Sequence, residues 1–234
     1  MIEAENVSFS YQPGGDPVFT GVNLSVRAGE IASLIGPSGI GKSTLLKLLV
    51  GDLVSATGIV RVNHEFAYLA QETVLLPYLT ANENVILSSV LRRRPSCFHW
   101  DRVKPVFGLS DGDMRKFPHE LSGGMRQKVS LLQMLSIPEV LLYVMDEPYK
   151  AIDRSSRIKI SDYVWKDLKE RRASMLFVTH DVEMAVAQSD VVLVLSEHGI
   201  RKLKVSEVLS SLLPSERVEN ELFANEMVKV LKSL

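Results

Sequence analysis

The stretch that decides the fold is Ile31-Ala-Ser-Leu-Ile35-Gly36-Pro-Ser-Gly-Ile-Gly41-Lys42-Ser43-Thr44-Leu-Leu-Lys-Leu-Leu-Val50. It begins with five small or apolar residues, which suit a strand buried on both faces. A glycine-rich turn follows at 36–41. The leucines after Lys42 then recur at helical spacing until Gly51 stops the helix. Within it, Gly36 to Ser43 fits the spacing G-x-x-x-x-G-K-[ST]. Gly36, Gly39 and Gly41 let the backbone wrap closely round an anion, so that successive N–H groups, that of Ser38 included, point inward as a nest. The helix behind adds the positive end of its dipole. Lys42 brings a mobile ammonium to the β- and γ-phosphates of a nucleotide, and the Ser43 hydroxyl is a hard oxygen for Mg²⁺. Such a match arises by chance on the order of once per hundred chains of this size, and here a strand precedes it and an amphipathic helix follows.

Working outward, the second informative stretch is Val140-Leu-Leu-Tyr-Val-Met-Asp146-Glu147-Pro148. An almost continuous apolar run reads as a central strand, and Asp146 would emerge at its carboxyl end, the edge where open α/β sheets bind ligands. There Asp146 can hold Mg²⁺, and Glu147 can serve as general base toward an attacking water. Alone, Asp-Glu-Pro would be a surface turn. The phosphate loop earlier in the chain changes that weighing.

The rest of the chain fits around these two strands. Residues 2–35 read as short strands, Ile2–Ala4, Val7–Phe9, Val22–Val26 and Ile31–Ile35, and residues 58–70 as a further pair. From about 72 to 120, Pro77, Pro95, Pro105 and Pro118 punctuate short helical stretches, and Arg92-Arg93-Arg94 reads as a solvated helix end. Helices are expected at 125–137, 154–171 and 181–188, with strands at 175–178 and 191–195. Strand alternating with helix predicts a parallel sheet with right-handed crossovers. The last residues, from Ser206, read as two short helices separated at Leu213-Pro214.

Composition narrows the function. The 234 residues are 46% hydrophobic and 24% charged, an ordinary globular balance that excludes disorder. Twenty-seven basic against 28 acidic residues leave a net charge of −1, so no global field collects nucleic acid or anionic membrane. A single cysteine, Cys97, excludes a disulfide framework and fits a reducing compartment. The longest apolar stretch, Val129–Met145, is interrupted by Ser130, Gln133, Ser136, Pro138 and Glu139, and the first residues lack a basic start before an apolar run. A soluble, cytoplasmic protein is expected.

Further residues carry a resemblance. Leu121-Ser122-Gly123-Gly124-Met125-Arg126-Gln127 resembles the LSGGQ-type signature of ATP-binding cassette (ABC) ATPases, and it precedes the Asp146-Glu147 pair as in that family. Gln71 in Tyr68-Leu-Ala-Gln71 resembles the Q-loop glutamine, Ala151-Ile-Asp153 the D-loop, and Thr179-His180-Asp181 the switch histidine. Tyr11 resembles the aromatic that stacks on adenine. The likeness covers nearly all of residues 1–200. It implies a P-loop NTPase of α/β class with a mainly parallel central sheet, an N-terminal antiparallel β subdomain and an inserted α-helical subdomain. The expected division is 1–71 for the β subdomain and P-loop half, 72–120 for the helical insertion, 121–205 for the signature, acid and histidine half, and 206–234 for a helical tail.

The resemblance also implies roles. Two copies would face each other head to tail around two ATP molecules, with Ser122, Gly123 and Gly124 of one completing the site that Lys42, Ser43 and Thr44 of the other hold. Glu147 would be the base, His180 would hold the γ-phosphate and attacking water, and Gln71 would sense Mg²⁺ alongside Ser43 and Asp146. Asp153 would contact the opposite site. An active ATPase is expected, although the segment between Lys42 and Gln71 is short for the family and the D-loop carries Lys150 and Ile152. Glu72–Val85 is similar to the nitrate/sulfonate/taurine-type importers. That likeness implies import of a small solute through a separate membrane permease, with an extracytoplasmic solute-binding protein, on the inner face of the cell membrane. A soluble cassette of the iron–sulfur assembly type and an exporter or lipoprotein-release cassette stand as alternatives.

Overall fold

The structure, a computed structural model, describes residues 1–55, 57–62, 65–93 and 100–206. Arg94, Pro95, Cys97 and the tail helices expected after Ser206 lie outside the described residues. The chain divides into two compact units, one of residues 1–64 and 174 onward, the other Glu65–Ala173.

In the first unit, β1 (Ile2–Phe9) lies between β2 (Phe19–Val26) and β4 (Thr57–Val62), antiparallel to both. The two short strands expected over residues 2–9 are thus one strand. Asn6, in the left-handed region at φ 51°, and the register shift between Ala4 and Val7 break its apolar alternation in the middle. Ile2, Val7, Val22 and Val26 from the inward faces are fully or almost fully buried. A second sheet centres on β3 (Ile31–Ile35), which pairs in parallel with β7 (Ser174–Val178) and with β8 (Val191–Ser196). All five residues of β3 and of β7 are buried, as a strand covered on both faces requires. The one hydroxyl inside β3, Ser33, is satisfied by Ser189 at 3.0 Å and by the Ala185 carbonyl at 3.3 Å. Helix α7 (Val182–Ala187) covers this sheet, with Ala185 and Val186 packed on Ile35 and Val192. An antiparallel strand not expected from the sequence, β9 (Gly199–Lys204), pairs with β8 and, among the described residues, ends the sheet. Helix α1 (Lys42–Leu49) follows β3 directly after the glycine turn.

In the second unit, β5 (Ala67–Leu69) runs parallel to β6 (Leu142–Asp146). The strands at 57–62 and 67–69 therefore pair with different partners and do not form a hairpin. Helix α5 (Gly123–Leu135) packs on α2 (Ala81–Arg92), and α3 (Trp100–Phe107) packs on α6 (Arg154–Glu170). A short α4 (Asp111–Met114) and a 3-10 turn at Pro118–Glu120 complete the helical region. Pro105, expected to punctuate, instead sits inside α3, near its carboxyl end. Side-chain caps set the helix starts. Thr80 and Glu83 form a reciprocal capping box on α2, Ser110 and Asp113 one on α4, and Asp153 caps α6. Hydrogen bonds to Lys116 and to Ser110 hold the Asp113 carboxyl well below the usual carboxylate range.

Candidate functional site

The glycine turn of the first unit has the form an anion cradle needs. Gly41 is the N-cap of α1 with φ 100°, a left-handed conformation that a side chain resists. A Cβ there would stand 2.6 Å from Val18 Cγ1 and 3.1 Å from Phe19 Cδ1, and one at Gly36 would meet the Leu195 carbonyl at 2.5 Å. Neighbouring side chains at Gly41 and backbone at Gly36 thus leave no room for a Cβ. No side chain caps α1, so its first N–H groups have no internal competitor for an anion. Lys42 Nζ donates to the carbonyls of Gly36 and Pro37, both at 2.8 Å, which folds the ammonium over its own loop. Ser43 is half-buried on the first turn, and Ser38 and Gly39 are exposed at the tip.

Tyr11 stands beside this helix. Its ring is 66% exposed and meets Phe9 edge-on at 5.0 Å, while its hydroxyl bonds Thr44 Oγ1 at 2.8 Å. The sequence placed Tyr11 near the nucleotide only by resemblance. The Thr44 bond supplies a geometric reason that spacing could not have given. His180 is exposed in the bend after β7, and the following residue, Asp181, caps α7 by accepting from the Met184 N–H at 3.0 Å.

The second unit supplies acids. Asp146 ends β6 at 2% exposure, and its Oδ1 is buried without a hydrogen-bond partner. A buried carboxylate oxygen without a donor is costly unless a cation answers it. Glu147, next along, is half-buried with φ 49°. A non-glycine residue in that region costs roughly 1–3 kcal/mol, and such strain clusters where a side chain must be aimed. The turn is anchored by Tyr149 and Ile152, both buried. Burial, with the nearby charge of Asp162, pushes the Tyr149 phenol above its usual range.

Ser122 and Gly123 are exposed at the start of α5, where Ser122 Oγ accepts from the Met125 N–H at 3.2 Å. Gln71 is exposed in the loop after β5. Asp153 is also exposed, but its carboxylate accepts from the Ser156 N–H at 2.9 Å and from the Ser155 hydroxyl at 2.7 Å. Those bonds hold it well below the usual carboxylate range. The structure therefore gives Asp153 a capping role that the sequence reading omitted. An Asp standing immediately before the expected helix at 154 was the available signal.

Residues 19–150, from β2 through the phosphate loop and signature to the Asp146-Glu147 turn, match the ABC transporter family. The chain belongs to the ABC transporter family. It is 31% identical over 236 residues to the aliphatic sulfonates import ATP-binding protein SsuB of a Bacillus cereus strain, an alignment that covers 96% of this chain and 91% of that protein. It is 39% identical over 202 residues to the aliphatic sulfonates import ATP-binding protein SsuB 1 of Pseudomonas syringae pv. syringae, covering 83% and 79%. Among solved structures, a dimeric post-hydrolysis state of an ATP-binding cassette bound to ADP and Pi superposes with a TM-score of 0.76 at 26% identity, over 88% of this chain and 99% of that one. This ABC protein is an ATP-binding, ATP-hydrolysing enzyme of α/β P-loop architecture.

Each unit, taken by itself, carries an oxygen of a kind that a hard divalent cation takes. Asp146 Oδ1 is a buried oxygen lacking a donor, and the half-buried Ser43 offers a neutral hydroxyl oxygen. Oxygen donors of these two types are the ones Mg²⁺ takes beside a nucleotide phosphate.

Proposed function

We propose that this ABC ATPase is the energising subunit of an importer for a small solute of the sulfonate class, working on the inner face of the membrane through a separate permease. The observation that carries this is the likeness to two sulfonate import ATP-binding proteins along most of their length. No helix among the described residues is long and apolar enough to cross a membrane, so in this reading the permease supplies the channel. An extracytoplasmic solute-binding protein would deliver the cargo. Two copies would work head to tail, a reading supported by the dimeric state of the related cassette.

The roles assigned to residues follow the family resemblance, with the chemistry of each side chain in support. Lys42 and the N–H groups of residues 38–44 grip the phosphates, and Tyr11 stacks on the adenine. By the family resemblance Ser43, Asp146 and Gln71 would hold Mg²⁺, which when bound would offset the charge that builds up on the transferring phosphoryl group. Glu147 orients the water and takes its proton, and His180 holds the water and the γ-phosphate in line. Ser122, Gly123 and Gly124 of one copy, with Asp153 beside them, close the site of the other. Hydrolysis then removes the γ-phosphate contacts that hold the two copies together.

Glu147→Gln tests the chemistry. The amide keeps the shape and loses basicity, so turnover should fall by about 10²–10⁴ with ATP binding intact. Steady-state hydrolysis above a tenth of wild type, roughly one decade short of the smallest fall in that range, would remove Glu147 from the role. The transport reading is tested by reconstituting this subunit with a sulfonate-type permease. Uptake of an alkanesulfonate into vesicles should require ATP on the side of this subunit, and no stimulation by any sulfonate would refute it.

A further inference from the structure

Buried contacts that the nucleotide roles leave unused join the start of α5 to the Asp146-Glu147 turn. Gln127 lies on α5 one turn beyond Gly124 and is 3% exposed. Its Nε2 donates to the Pro148 carbonyl at 2.7 Å, inside the protein. Gly124 makes a second close approach, since a Cβ there would stand 2.9 Å from the Ala151 carbonyl. Helix α5 therefore grips the turn at Pro148 and at Ala151. Between β6 and these grips lies Glu147, whose left-handed backbone an L-residue does not hold unaided.

We infer that Gln127 is a positioning residue for hydrolysis. Its amide pins the Pro148 peptide, which fixes the backbone of Glu147 and with it the direction of the carboxylate. It also makes the Ser122 end of α5 and the Glu147 turn one mechanical piece, so that whatever engages Ser122 bears on the base of the same chain. The inference rests on the reading of Glu147 as general base.

Gln127→Leu removes the donor at nearly constant size and leaves the buried Pro148 carbonyl unpaired. Misplacing a reacting group by a fraction of an ångström to an ångström lowers rate, so kcat should drop by about ten- to a hundredfold while the KM for ATP holds. Gln127→Glu adds a readout that a packing role would not move. An ionised carboxylate cannot donate to a carbonyl, whereas the protonated acid can, and burial favours the protonated form. The ratio of Gln127→Glu to wild-type kcat should therefore climb as pH is lowered from about 8 to about 6, well below the melting temperature, and the same ratio for Gln127→Leu should stay flat. Wild-type kcat in Gln127→Leu, a raised KM with unchanged kcat, or a flat ratio for Gln127→Glu each overturns the proposal. If Gln127→Leu does not fold, the Gln127→Glu ratio decides alone. Glu147→Gln assayed in parallel separates the two failures. A dead Glu147→Gln beside an unimpaired Gln127→Leu refutes only the Gln127 role, whereas an active Glu147→Gln removes the general-base reading and this inference with it.

Discussion

Helices α1 and α5 both begin at glycine-rich turns, yet their ends are built oppositely. Gly41 opens α1 with a left-handed backbone and no side-chain cap. Ser122 opens α5 from an extended backbone, with its hydroxyl on the Met125 N–H. Among the described residues, α2, α4, α5, α6 and α7 all have a side-chain cap, and α1 does not. Caps are worth about 0.5–2 kcal/mol, so their absence is a cost unless a ligand takes their place. The contrast teaches that α1 is built to grip an anion from below. Helix α5 stands complete without one, and its Ser122 is exposed at the start of the helix.

The strongest way to break this division is to disable each end separately. Lys42→Ala and Ser122→Arg should each lower hydrolysis by about 10²-fold or more, the scale for losing a preorganised partner of the reacting charge. Mixing the two inactive proteins should restore part of the rate, because one composite site then has both Lys42 and Ser122 intact. No recovery across micromolar concentrations, with wild-type rates strictly proportional to concentration, would sink the head-to-tail arrangement.

Next in size is the aromatic beside α1. Tyr11→Ala should weaken ATP binding by about 1–3 kcal/mol, as base stacking predicts. Tyr11→Phe keeps the ring and loses only the Thr44 bond, so it should cost about 1 kcal/mol or less. Titration with a fluorescent ATP analogue distinguishes them, and equal losses would assign the effect to the hydroxyl instead of the ring. Gly41→Ala should destabilise the fold by roughly 1–3 kcal/mol through crowding of Val18 and Phe19, read as a lower melting temperature. Wild-type stability there would show that the cradle is not constrained by packing.

The smallest effect is electrostatic and belongs to α6. The Asp153 carboxyl is held below its usual range in the folded chain. Its contribution is therefore complete above the unfolded value, near pH 4, and is lost as pH falls below that toward the folded value. Asp153→Asn should lower stability slightly at neutral pH and flatten the acid limb, so that variant and wild type converge as pH falls below about 4. A wild-type acid limb in that variant would deny the cap any charge-dependent role.

The sequence was most legible where chemistry demands residue types at fixed spacing. The glycine loop, the buried run ending in Asp146 and the signature serine all declare themselves along the chain. Other features depend on partners far away in sequence. Gln127 reads as one more polar residue on a helix until the Pro148 carbonyl is found beside it. Strands β4 and β5 read as one pair along the chain, but β4 joins β1 in one sheet and β5 joins β6 in another, partners that only the fold reveals. Strand β9 was missed because Gly199-Ile-Arg-Lys-Leu-Lys204 carries three cations and follows a glycine, a pattern that local propensity scores as a loop.

Those cations have a consequence of their own. A strand that closes a sheet presents unpaired N–H and C=O groups to any passing chain, a standing invitation to edge-to-edge aggregation. Arg201 and Lys204 are exposed on β9, and Lys202 is tied down by Glu30 at 3.0 Å and by the Ser25 carbonyl at 2.9 Å. A foreign strand docking there would have to desolvate that charge, and Lys202 would have to leave its partners. Gly199–Lys204 thus serves as a gatekeeper, keeping this edge of the sheet from recruiting a neighbour.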